Sequence, residues 1–323
     1  GTGIGINAYS EMLVKLEDQN NTFRLSLHAG NSPYNVLGSN ARKRLRIDHE
    51  WIIIDGGKVE GTCGDGIVDA DSNEACDDGI ATVYCTETCQ LAEEFVSVWM
   101  VDAEDLTITL PLRPGYNYDF RVDWGDGTPI RNVTSHFDSD RSHTYQAPGT
   151  YTVTINGRLE ALYFNNLGDK DKLQSIPNLG HTHWRSFDHA FHGCSNLGVV
   201  RGGITDRVST MRSMFEDAPN AEPESSTWDT SSIIDMSSLF KGARSANPNT
   251  YAWNMDRVIS LSSMFEGAHA ATPETTHWTL KNARDLDSMF KSATSANPDT
   301  RYWNISRVER LDSIFESAVV ANP

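Results

Sequence analysis

The sequence has no uninterrupted apolar run long enough to cross a bilayer, so no spanning helix is expected. Positive charge is scarce: 27 Lys and Arg stand against 44 Asp and Glu, a formal net charge of −17. Nucleic acid and anionic membranes need Lys/Arg surfaces, so neither a nucleic-acid partner nor direct membrane insertion is expected. A nucleophile–base signature, a zinc-protease helix motif and a phosphate loop are also missing, and no enzyme is expected. Cysteine is sparse, five in 323 residues, yet four of them fall between Cys63 and Cys89. That clustering points to an oxidising compartment, the cell exterior or a bacterial surface. The opening Gly1-Thr2-Gly3 is what a mature or trimmed secreted form would show.

What is present is a repeat. Trp228, Trp253, Trp278 and Trp303 recur every 25 residues, as do Phe215, Phe240, Phe265, Phe290 and Phe315. A period in this range marks stacked units, each too small to bury its own apolar face. Trp253/Met255, Trp278/Leu280 and Trp303/Ile305 alternate as a short strand would. Met236, Leu239, Phe240 and Ala243 then take the i, i+3, i+4, i+7 spacing of one helix face, and later units repeat it. Ser231, Asp256 and Ser306 occupy N-cap positions, with Glu309 completing a capping box. One strand and one short helix per repeat predict an α/β solenoid. Ser226–Ala243 (STWDTSSIIDMSSLFKGA) resembles the BspA-type leucine-rich repeats of bacterial surface proteins, and the resemblance covers Leu173 to Pro323. The chain stops inside a repeat, at an Ala-Asn-Pro that coincides with Ala246–Pro248, so further repeats or a capping element are expected to follow.

The preceding segments read differently. In residues 1–60, Tyr9, Met12, Leu13 and Leu16 fit a brief amphipathic helix, while Phe23/Leu25/Leu27, Leu45/Ile47 and Trp51 to Ile54 read as strands. This is an α+β lead-in; the lower part of a pilin-type stem is the alternative. In residues 61–92, Cys63-Gly-Asp-Gly66, Cys76-Asp-Asp-Gly79, Cys85 and Cys89 resemble the short cysteine-rich repeats of secreted proteins. Two disulfides are expected, of unassigned pairing, because so short a segment needs staples. Asp65, Asp69, Asp71, Asn73, Asp77 and Asp78 supply the oxygens a Ca²⁺ site would use. Glu74 stands where a calcium loop needs glycine, and Asx turns with solvated charge are the competing reading.

Residues 93–166 carry alternating Phe120/Val122/Trp124 running into a Gly125-Asp126-Gly127 turn, then Tyr151/Val153/Ile155 after Pro148-Gly149. At least five short strands are predicted, enough for a sandwich. Val122-Asp-Trp-Gly-Asp-Gly-Thr128 and His143-Thr-Tyr-Gln-Ala-Pro-Gly-Thr-Tyr-Thr-Val153 resemble the PKD domain, which implies display and not catalysis. Asp123, Asp126 and His143 are expected to fix turns. No flexible linker separates this block from residues 167–323, and the sandwich is expected to cap the first repeat.

The fold class expected is therefore multidomain α+β: a small disulfide-rich module, a PKD-like β-sandwich and a 25-residue-period α/β, leucine-rich-repeat-like solenoid. His181, His183, His189, His192 and Cys194 raise the question of zinc. Aligning Phe191 with Phe215 puts Cys194 in a column of alanines, His192 in an alternating Glu/Lys column and His189 in a column of serines. The side chains are expected to diverge and leave Cys194 as a free buried thiol. Tyr251, His277, Arg301 and Tyr302 vary among the units, just before the Trp column, and form the candidate binding surface. The function expected is adhesion to a protein or glycan of a host or neighbouring cell. A pilus-associated adhesive subunit and the non-catalytic targeting region of a secreted polysaccharide hydrolase are the alternatives. No cofactor beyond Ca²⁺ is implied.

Overall fold

The computed structural model describes residues 6–18, 25–29, 32, 41–42, 45–46, 51–55 and 94–322. The chain forms two compact units, 1–92 and 93–323. In the first, α1 (Ile6–Asp18) buries Tyr9 and Leu13, one turn apart, as their spacing predicts. Strands β1 (Ser26–His28) and β2 (Ile52–Ile54) pair in parallel. Leu45, expected in a strand, is helical. Ala41 and Leu45 both enter the core with Tyr9, Leu13, Trp51 and Ile53. Asp55 accepts from the Tyr9 hydroxyl at 3.0 Å and from Arg42 Nε at 2.8 Å.

The second unit is β-rich, and among its described residues no α-helix occurs. Its strands are β3 (Phe95–Val101), β4 (Thr107–Thr109), β5 (Tyr118–Asp123), β6 (Arg131–Val133), β7 (Ser142–Thr144), β8 (Gly149–Leu159), β9 (Leu173–Asn178), β10 (Val199–Val200) and β11 (Glu222–Pro223). Period-2 patterning becomes burial: Tyr118, Phe120 and Val122 face inward from β5 and their neighbours outward. A seven-stranded sheet runs β11-β10-β9-β3-β8-β5-β6, while β4 and β7 pair separately. β9 is antiparallel to β3 on one side and parallel to β10 on the other. The sheet thus passes from the β-block into the repeats without a break, and one core extends from Phe95 to Ala296. The expected boundary at 166/167 falls inside this unit. Lys172 Nζ ties it down, reaching Asp105 Oδ2 at 2.6 Å and Asp169 Oδ1 at 2.7 Å.

From Thr210 the coils stack through single parallel bridges, Thr210 to Asp235, Ser260, Asp285 and Arg310. The rings form two continuous columns. Phe240, Phe265 and Phe290 are 5.5 Å apart, and Trp253 and Trp278 are 6.5 Å apart. The predicted helix is replaced by consecutive turns. Leu239, Lys241 and Ala243 N–H groups donate to carbonyls three residues back, and Ser238, Phe240 and Gly242 donate to the next coil at 2.8 Å. Ser238 (φ 55°) and Gly242 (φ 70°) take left-handed backbone to allow this alternation. A helix is excluded by size: its diameter is about 10–12 Å, roughly twice the advance per coil.

The predicted N-caps are displaced as well. Asp229, Asn254 and Asn304 side chains accept the N–H groups of Ser231, Asp256 and Ser306, making Asx turns two residues earlier. Nor does the Trp segment form a regular strand. Trp253 and Met255 are buried and Asn254 exposed, but Thr230 replaces the ladder there. Its hydroxyl donates to Asn254 O at 3.0 Å and accepts from Asn254 N at 2.7 Å.

Candidate functional site

The sequence-derived surface residues meet on one exposed strip. Tyr251 and Tyr302 are 61% and 64% exposed, while Trp253 and Trp278, two and one residues after Tyr251 and His277, are buried. The contrast arises at the turn before each Trp. Ser225, Thr250 and Thr275 point inward, their hydroxyls donating to the carbonyls of Asn249, Glu274 and Asp299 on the next coil at 2.8–2.9 Å. Those same three residues fold back through their side chains, accepting from Tyr251 N, Thr276 N and Arg301 N at 3.0–3.1 Å. Each turn is closed on both sides, and the residues at its tip are presented outward. Tyr251 meets His277 edge-to-face at 4.9 Å. Arg301 is held by Asp299 at 2.9 Å and lies 5.8 Å from the Tyr302 ring. Hydrogen bonds from the Arg301 side chain hold the Asp299 carboxyl well down, at about 2.

A second surface was not singled out by sequence reasoning. Ile234, Arg257, Ile259, Asn282, Arg284 and Arg307 line a groove between coils. Arg284 pairs with Glu309 and Arg307 with Asn282, whereas Arg257 makes no ion pair among the described residues. The signal was available as two columns at the repeat period, Ile234/Ile259/Arg284 and Arg257/Asn282/Arg307.

The histidines do not all diverge, contrary to expectation. His189 and His192 bring their Nδ1 atoms to 3.1 Å, and Glu216 joins them with every ligand atom within 4.8 Å of the others. The reason is the turn string: residues i and i+3 meet across a β-turn, here closed by His192 N donating to His189 O at 3.4 Å. His181 and His183 stack separately at 5.6 Å, with buried Nδ1 atoms lacking hydrogen-bond partners. Cys194 is the free, fully buried thiol expected, and burial pushes its pKa up.

In the β-block, Asp123 accepts from Gly125 N and Asp126 from Thr128 N, the turn-fixing roles predicted for them. His143 Nε2 lies 2.7 Å from Asp126 Oδ2 and stacks on Trp124. Burial works to raise the Asp126 pKa, but hydrogen bonds from Thr128 and His143 outweigh it and hold the carboxyl at about 2. Cys63, Cys76, Cys85 and Cys89, and the calcium candidates Asp65, Asp69, Asp71, Asn73, Asp77 and Asp78, lie outside the described residues. No described helix is long and apolar enough to cross a membrane.

Residues 187–323 match a family described as Mycoplasma protein of unknown function, DUF285. No curated protein and no solved structure matches the chain.

Proposed function

We propose that the chain is a binding protein of the cell exterior, which displays the strip around Tyr251, His277, Arg301 and Tyr302 to a protein or glycan partner and has no catalytic centre of its own. In this reading the stacked coils are a solenoid of the BspA leucine-rich-repeat type. The β-block is a PKD-like sandwich that supports it, and the cysteine-rich segment is a stapled spacer. One observation carries the proposal: at each turn the side chain facing in is a hydrogen-bonded Ser or Thr, and those facing out include two tyrosines more than 60% exposed. Tyrosine offers large contact area at low conformational-entropy cost, and with Arg it dominates binding hot spots.

The test is binding of the chain to a glycan array and to intact cells, beside a Tyr251→Ala/Tyr302→Ala double variant. Loss of about 2 kcal/mol or more, roughly thirtyfold, is expected if the tyrosines are hot spots. Undiminished binding by the double variant would remove this strip from the proposal. Failure of the parent to bind either class would remove the proposal itself.

A further inference from the structure

His189 and His192 break patterns that the later coils keep. From Glu216 onward, one column alternates Glu216, Lys241, Glu266, Lys291 and Glu316. Lys241 pairs with Glu266 at 3.3 Å and Lys291 with Glu316 at 2.9 Å. Glu216 therefore has a lysine above it that is engaged elsewhere, and below it His192 in place of a lysine. It makes no ion pair among the described residues. The column containing His189 is Ser213, Ser238, Ser263, Ser288 and Ser313 in the later coils, and all of them share its left-handed backbone. Two departures from the repeat thus converge, with a carboxylate, on one half-buried spot.

We propose that His189, His192 and Glu216 form a binding site for one divalent cation of the zinc type, with a fourth position open to water or an exogenous ligand. Tetrahedral zinc takes imidazole nitrogens at about 2.0–2.1 Å, which sets two such donors about 3.3 Å apart. The Nδ1 atoms are 3.1 Å apart, within a small rotation of that value. Without a cation, one imidazole must turn an N–H toward the other; a cation uses both lone pairs.

The backbone is held as a ligand site requires. His189 N donates to Arg212 O at 2.8 Å, Asn165 N to His189 O at 3.2 Å, and Asn166 N to His192 O at 3.0 Å. Gly193 N donates to Glu216 O at 2.8 Å, which fixes the third donor relative to the second. Behind the site, His189 Nε2 lies 3.7 Å from Asp188 Oδ1, beyond hydrogen-bond range, so the carboxylate acts on the ring through its charge alone. Asp188 is itself gripped by Arg113 and Arg212, each at 2.8 Å. Two imidazoles and one carboxylate suit zinc, copper or nickel; calcium and magnesium want oxygen shells that this spot does not offer.

The repeat itself supplies mild test variants. His189→Ser installs the residue of the later coils, and His192→Lys extends the Glu/Lys ladder down to Glu216. Zn²⁺ binding to the full chain is measured by calorimetric titration and by the Zn²⁺-induced rise in unfolding temperature, with Co²⁺ as a spectroscopic probe of coordination. One equivalent fewer in each variant, or at least about tenfold weaker binding at that equivalent, is expected, with the metal-free unfolding temperature kept. Glu216→Gln, nearly the same shape, serves as a third variant should either of the others unfold. Equal zinc stoichiometry and affinity in the parent and every folded variant would overturn the proposal, as would a parent that binds no zinc.

Discussion

Phe265 sits at the centre of the longest ring column and is fully buried, with Phe240 and Phe290 each 5.5 Å away on opposite faces. Phe265→Ala removes the side chain, leaves a cavity between two rings that cannot close on each other, and breaks both stacked pairs. Large-to-small aromatic truncation costs roughly 3–5 kcal/mol, and two pairs worth about 0.5–1.5 kcal/mol each place this site in the upper half of that range. Glu266, the next residue, is partly exposed and pairs with Lys241 at 3.3 Å. Its replacement by Ala is expected to cost within about 0.5 kcal/mol, since an exposed pair is worth little. Each repeat is held by its neighbours through single bridges and ring contacts, so the effect is read locally. Phe265 N and Gly267 N donate between coils at 2.8 Å, and their hydrogen-exchange protection reports the opening of this stretch. Phe265→Ala should lower that protection by about 10²–10⁴-fold, and Glu266→Ala by less than about threefold. Equal losses at the two positions would show that the inward face has been misassigned.

Asp126 has its pKa depressed below the unfolded value of 3.8, to about 2, so its contribution is fully present above about pH 4 and is lost as pH falls toward 2. The stability difference between parent and Asp126→Asn should therefore narrow across that window in acid unfolding; a constant difference would refute the pairing. Ser263, at φ 55°, should tolerate Gly, whereas Val at that left-handed position should destabilise by about 1 kcal/mol or more in thermal unfolding. Native protein should show no thiol reactive toward an alkylating agent, and unfolding should release one, Cys194, with the other four cysteines paired. Four further free thiols by mass spectrometry would remove the extracellular assignment.

Burial of the Trp and Phe columns, the alternating charges beside them and the exposed strip before each Trp were legible in the sequence. A fixed period places equivalent residues in register, and register alone decides which side chains share a column. The same holds for β5 and β8, where alternation translates directly into an inner and an outer face. What i, i+3, i+4, i+7 spacing could not decide was the backbone between those positions. A helix and a string of turns both bring residues three and four apart to one side, and only the separation of about 5.5 Å between stacked rings excludes the wider helix. Thr230 standing in for a strand ladder was equally hidden, because its role needs the backbone of Asn254 on the next coil. The meeting of His189, His192 and Glu216 belongs to the same class. Column alignment assigns each histidine its own slot, but the distance between slots is set by a turn closing on one coil and by the rise to the next. Composition and period thus determined what is inside and what repeats, while contacts across coils, which no local pattern encodes, decided the backbone path and which polar groups face one another.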